Sequence, residues 1–335
     1  MQNRLLGVPT MQNKVRFNDI SILRVSAMLM VVFYHCLCPY SIWDGTDFYI
    51  GFHVPAWDVV DGMLAQIHLP IFFLISGYLY GYKRIRGGYN DNVKFLKDKA
   101  LRVLAPYVIV GLFLCLLQDR DILQMLCGIS HLWFLLVIYE CYLFGKIIER
   151  VLWLPSGRLV LIGLAAVVLL LVASYRIPQV RFLAATLLVR YFPYYLIGML
   201  ASKMDFSLFA RCKHTMVVGL FLVIACSALQ RVYLNRAVLA TLLGLALVAL
   251  LFCVARCTQI DRVPSWAMSL DKCSMGIYIV HHVLIQEMNG LCVFHEMASE
   301  YYYVYPLVQF VLITLISWGF VAICRRKKYS KYILG

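Results

Sequence analysis

Arg24 and His35 stand eleven residues apart in the apolar run DISILRVSAMLMVVFYHC. Eleven helical steps of about 100° return to within roughly 20° of the start, so a helix here presents both on one face. They would be separated by about 16 Å along the axis, over half the hydrocarbon thickness of a bilayer. Taken singly, Arg24 could snorkel to headgroups and His35 could be a satisfied interfacial histidine. Singly those explanations are the better ones, but the alignment weakens both, since ionisable residues within spans usually face the bundle interior or a water-filled cavity.

Other spans add to this set. His68 in QIHLPIFFLISGY and His131 in HLWFL fall near the same end as His35, and these three histidines could line one cavity. Each alone is more readily an interface or packing residue. Glu140 lies near the middle of the span that His131 opens, nine residues on and so on roughly the opposite face. A carboxylate at mid-membrane calls for a partner or a proton-handling role. His281 and His282 sit together in a later span.

A basic stretch supplies the second kind of chemistry. Residues 83–102 hold Lys83, Arg84, Arg86, Lys94, Lys97, Lys99 and Arg102. Lys99 and Arg102, spaced i, i+3, share a helix face. A polyphosphate ligand would match such cations through charge-assisted hydrogen bonds. On composition alone, topology signalling and contact with anionic lipid heads explain them better.

The elements that must position these groups are membrane helices. The chain has 335 residues, of which 62% are hydrophobic and 14% charged, where a soluble domain carries about 25% charged. Mean hydropathy is +0.79. This excludes a soluble enzyme, a disordered chain and a small disulfide scaffold. Ten apolar runs approach the ~20 residues needed to cross a bilayer: 20–39, 61–81, 101–117, 132–148, 159–175, 182–200, 215–230, 237–255, 273–291 and 303–324. Ten crossings place 24 of the 31 Lys and Arg on one side and five on the other (Arg120, Arg176, Arg181, Arg231, Arg236), with Arg24 and Arg190 inside spans. The positive-inside rule makes the first side cytoplasmic, with both termini there. The expectation is an all-α polytopic bundle over 1–335 as one domain, with a cytoplasmic segment 1–19 and a basic cytoplasmic tail 325–335.

The net charge of +14 does not point to nucleic acid, because the cations sit in short stretches between apolar runs. The twelve cysteines read as small packers without zinc-site spacing, and no metal is expected. No cleavable signal peptide is evident, since the first apolar run is long and lacks a small-x-small exit. The loop 40–60 carries Asp44, Asp47, Asp58 and His53 with Trp43, Tyr49, Phe52 and Trp57. That composition suits an interfacial loop, and equally a platform for stacking on sugar rings.

These residues together resemble the membrane-bound acyltransferase-3 family. Arg24 and His35 reproduce its Arg-x10-His pattern, preceded by Arg16-x-x-Asp19. Phe72, Phe73, Ser76 and Gly77 are similar to its FFxxSG signature, and FLKDKALRVLAPY to the basic start of its third span. Lys99 stands where Arg is common, which keeps charge and loses bidentate geometry. HLWFL at 131–135 and YFPYYLIGM at 191–199 resemble the branch of sugar and surface-polysaccharide O-acetyltransferases, and SMGIYIVHH at 274–282 a late family element.

The resemblance implies an O-acyltransferase that moves an acyl group, usually acetyl, from cytoplasmic acetyl-coenzyme A to a hydroxyl of an extracytoplasmic glycan or lipid-linked sugar. It implies a multi-pass protein in the bilayer of a bacterial inner membrane. On it, His35 is the essential histidine and Arg24 orients the donor or stabilises thioester charge. Lys99 and Arg102, with Arg84 from the same loop, would hold coenzyme phosphates. His68, His131 and Trp133 are expected on the acceptor side, and Glu140 as a proton acceptor or histidine partner. The competing class is a sugar or lipid-linked-sugar transporter or flippase, where the same Arg, His and Glu would serve proton coupling. No inverted repeat is visible to support it. A non-catalytic partner of an envelope-polysaccharide assembly is a third reading.

Overall fold

Leu, Ile, Val and Phe run through this chain without period-two alternation, and in a bilayer an isolated segment can satisfy its own backbone only as a helix. The computed structural model describes residues 17–152, 169, 179–234, 237–258 and 260–335, and among them every regular element is helical. The long elements are α1 (Asn18–Leu37), α2 (Pro55–Ala65), α3 (His68–Ile85), α4 (Asn92–Leu117), α5 (Trp133–Leu152), α6 (Ala185–Ala201), α7 (Lys213–Leu229), α8 (Ala237–Cys257), α9 (Ser265–Gly290), α10 (Cys292–Glu300) and α11 (Tyr305–Cys324), followed by the short α12 (Ser330–Ile333).

Among the described residues, eight helical segments are long and apolar enough to cross a membrane, and nine if the bent pair α9–α10 is one span. The expected span 159–175 lies outside the described residues, Leu169 excepted. The expected span 61–81 is longer than its apolar run, because α2 and α3 together cover Pro55–Ile85. The expected span 273–291 begins earlier, at Ser265, and its helix turns by 88° into α10. Asp271, Lys272, His281 and His282 dilute the apolarity of α9, which hides its first turns from a hydropathy count.

Local chemistry sets the boundaries that matter for the site. After α3, Gly87 at φ +75° permits the chain to reverse. Asp91 then caps α4 by accepting from the Lys94 amide at 2.9 Å. The cap fixes the helical phase of α4, and with it the shared face of Lys99 and Arg102.

Helix α1 is central and packs against α3, α8, α9 and α11. Asp19 at its start forms an ion pair with Arg256 at the end of α8. The closest approach in the bundle is between α3 and α6. A Cβ on Gly77 would stand 1.9 Å from the Tyr195 carbonyl oxygen, and one on Gly198 would stand 2.0 Å from that of Leu74. The glycine of the FFxxSG stretch is therefore a packing residue that lets two backbones touch. Helix α7 is peripheral and exposes Val218, Phe221 and Leu222, as a lipid-facing helix does.

Candidate active site

Two cavities enter the bundle and approach the same pair of helices, α1 and α9. The first, about 690 Å³, is lined by His35, His68, His131 and His282 together with Trp43 and Trp133. The second, about 450 Å³, is lined by Arg24, Lys99, Arg102, Lys272 and Arg325 together with Asp271. Tyr278 lines both. Its hydroxyl donates to the backbone carbonyl of His131, and its ring stands 5.2 Å from Phe134, which lines only the Arg24 cavity.

Each end of the Arg24–His35 face has its partner on α9. Arg24 forms an ion pair with Asp271 at 3.1 Å. His35 Nδ1 lies 3.1 Å from Nε2 of His281, which is fully buried. Partners appearing in the same order along both helices mean that α1 and α9 run side by side in one direction. Burying an ion pair seldom stabilises a fold over an apolar pair of equal volume, although removing one partner costs about 3–5 kcal/mol. The Arg24–Asp271 pair is thus better understood as holding a guanidinium in place.

The hydrogen bonds determine the histidine tautomers. His281 Nδ1 is 3.0 Å from the Ile277 carbonyl, which can only accept, so Nδ1 carries the proton and Nε2 of neutral His281 is an acceptor. His35 Nδ1 faces that acceptor and the Val31 carbonyl at 3.0 Å, so it too is protonated. Neutral His35 is left with a basic Nε2. On the other wall, His131 Nε2 donates to the Ile279 carbonyl at 3.0 Å, and its ring stacks on His282 at 4.4 Å. His68 stacks on Tyr34 at 4.6 Å, and Trp133 on Tyr191 at 5.4 Å.

In the Arg24 cavity, Lys99 Nζ sits 4.0 Å from the centroid of the Tyr142 ring, and Arg102 is exposed. Tyr89, in the loop before α4, lines the same space, and burial raises its phenol above the ordinary range, so it acts as a neutral donor. The segment after α11 folds back: Arg325 Nη1 donates to the Gly335 carbonyl at 3.1 Å, and both line the cavity.

The structure brings together His35, His68, His131 and Trp133 in one cavity and Arg24, Lys99 and Arg102 in the other. It does not bring Arg84 to them. Arg84 Nε bonds Glu149 at 3.1 Å, Nη1 bonds Asn90 at 2.6 Å, and Tyr80 and Lys146 share the Glu149 carboxylate. Glu140 lines neither cavity, and its buried Oε2 has no hydrogen-bond partner among the described residues. Of the loop 40–60, Trp43 reaches the His35 cavity, whereas Trp57 is used structurally, donating to the Tyr302 carbonyl at 2.8 Å. Sequence reasoning assigned no role to Asp271, Lys272, Tyr278, His281 or Arg325. The tandem histidines of SMGIYIVHH were the visible signal for His281 and His282.

These features define a class: an all-α polytopic membrane protein with a histidine-lined cavity and a cationic cavity that share Tyr278 as a lining residue. The sequence model of a family described as an acyltransferase domain matches residues 17–326. The chain belongs to that acyltransferase-3 family. No curated protein and no solved structure matches the chain.

Proposed function

We propose that this membrane acyltransferase transfers an acyl group, acetyl in the first instance, from acyl-coenzyme A in the Arg24 cavity to a hydroxyl of a glycan or lipid-linked sugar in the His35 cavity. The observation that supports this reading is that both cavities are lined by Tyr278, which lies on α9 between Asp271 and His281, the partners of Arg24 and His35. A thioester and an alcohol could thus arrive from opposite ends and meet within the bundle. The donor set fits the coenzyme: Lys99, Arg102, Lys272 and Arg325 offer point charges and planar forks to phosphate oxygens.

In the transfer, the acceptor hydroxyl oxygen forms the new ester bond with the acyl carbon, and the carbon–sulfur bond of the thioester breaks. His35 Nε2 takes the hydroxyl proton and returns it to the departing coenzyme A thiolate. An acyl-imidazole relay would need the same unprotonated Nε2, so the His281 hydrogen bond serves either route. Arg24, held by Asp271, is the group available to stabilise charge on the thioester oxygen. The orientation that follows from the cation distribution puts the Arg24 cavity on the cytoplasmic side of an inner membrane and the His35 cavity outside.

The test is transfer of radiolabelled acetyl from acetyl-coenzyme A into cell-envelope glycans by wild type and His35→Ala, both shown to reach the membrane equally. Label should appear with wild type and fall by about 10²-fold or more in the variant. Equal labelling would remove His35 from the chemistry. No label with either protein, across a range of acyl donors, would favour sugar transport instead.

A further inference from the structure

The His35 cavity contains more positive charge than the proposed chemistry uses. Arg120 follows α4, Arg190 lies in α6 and Arg231 lies in the turn after α7, so three separate elements each direct an arginine to this one space. The one carboxylate among the cavity's lining residues is Asp61, which accepts from the Ser41 hydroxyl at 2.6 Å and feels the Arg231 guanidinium, so three arginines face a single carboxylate. Asp44 and Asp58 of the nearby loop lie outside the lining and flank His53 at 3.6 and 3.7 Å. Neither Arg120 nor Arg231 forms an ion pair with a carboxylate among the described residues.

Arg231 is also seated with care. A Cβ built on Gly62 would stand 2.5 Å from its Nε and 2.6 Å from its Cζ, so the guanidinium lies directly over a glycine of α2. Beside Arg120, Gln118 donates to Gln286 of the cavity wall at 3.2 Å, which ties the end of α4 to α9. An excess of fixed cations in a concave site with low-dielectric walls focuses its field on whatever enters.

We infer that the His35 cavity selects an anionic acceptor: a sugar bearing a phosphate ester or a carboxylate, whose oxyanion is held by Arg120, Arg190 and Arg231. The selectivity for a hydroxylated acceptor rests on the transfer reading above, while the anion site does not. Planar guanidinium forks match phosphate and carboxylate oxygens alike, so either group is a substrate feature of the same chemical class. A neutral sugar forgoes the charge-assisted hydrogen bonds to these guanidinium groups and binds more weakly.

The experiment measures equilibrium binding of radiolabelled glucose 1-phosphate, glucuronate and methyl glucoside to the full chain in lipid nanodiscs. The anionic probes should bind about tenfold or more tightly than methyl glucoside, with affinity falling as salt rises. Arg120→Gln and Arg231→Gln should each remove about tenfold of that preference and leave methyl glucoside unchanged. Gly62→Ala keeps every charge but displaces the Arg231 guanidinium, and should lower the preference in the same sense. Tighter binding of glucose 1-phosphate supports a phosphorylated acceptor, and tighter binding of glucuronate an acidic glycan. Equal affinity for the neutral probe, equal weakening of all three probes by the variants, or no saturable binding of either anion at about 10 mM overturns the inference. Anion binding without acetyl transfer would sink the transfer reading and leave this one standing. Acetylation of neutral acceptors in preference would do the reverse.

Discussion

In the proposed transfer, the basicity of His35 depends on an atom 246 positions away in the chain. Its Nδ1 proton is shared between the Val31 carbonyl and His281 Nε2, which is an acceptor only because His281 Nδ1 donates to Ile277. Removing His281 leaves the Val31 carbonyl as the one group holding Nδ1–H, so the ring is less firmly oriented and the population with a basic Nε2 in place falls. His281→Ala is expected to lower kcat by about 10²-fold while KM for acetyl-coenzyme A stays near its wild-type value. A loss confined to KM would assign His281 to substrate contact instead. The phase of Arg24 and His35 was legible in the sequence, because helix geometry is local. Their partners were not, since nothing in eleven residues of α1 specifies which later helix lies alongside.

At the scale of elements, the contact between α3 and α6 decides whether the cavities exist. Phe72 and Ser76 of α3 line the Arg24 cavity and His68 of the same helix lines the other, so a shift of α3 moves both. Gly77 and Gly198 meet backbone oxygens at under 2.1 Å from where a Cβ would be, and backbone cannot step aside as a side chain can. Gly198→Val should cost about 3 kcal/mol or more, seen as a fall in thermal stability in detergent. Gly319→Val, on α11 with open space around its Cβ position, should change stability by within about 0.5 kcal/mol. Equal effects at the two sites would refute the packing role. The same scale explains α9: Asp271, Lys272, His281 and His282 face α1 or the cavities, so the helix that carries them is the one that hydropathy undercounts.

Across the whole molecule, two cavities from opposite ends require the chain to have a definite orientation. Cys212 and Cys292 are both exposed, the first at the start of α7 and the second at the bend between α9 and α10. In intact cells, a membrane-impermeant maleimide should label Cys292 and spare Cys212, with labelling of Cys212 appearing after the membrane is opened. The reverse pattern would invert the proposed sides. The spans, the side on which cations gather and the shared face of Arg24 and His35 follow from composition and periodicity, because membrane insertion responds to local apolarity and charge. Which cations face which cavity does not follow from them. Lys99 and Arg84 come from one basic stretch, yet Lys99 lines a cavity and Arg84 is bound to Glu149. Arg120 and Arg231 look like stray loop charges in one dimension and converge on a single space in three. Hydropathy and charge are sums over neighbours in the chain, whereas a site is built from contacts between helices, and those depend on where small residues let two backbones approach.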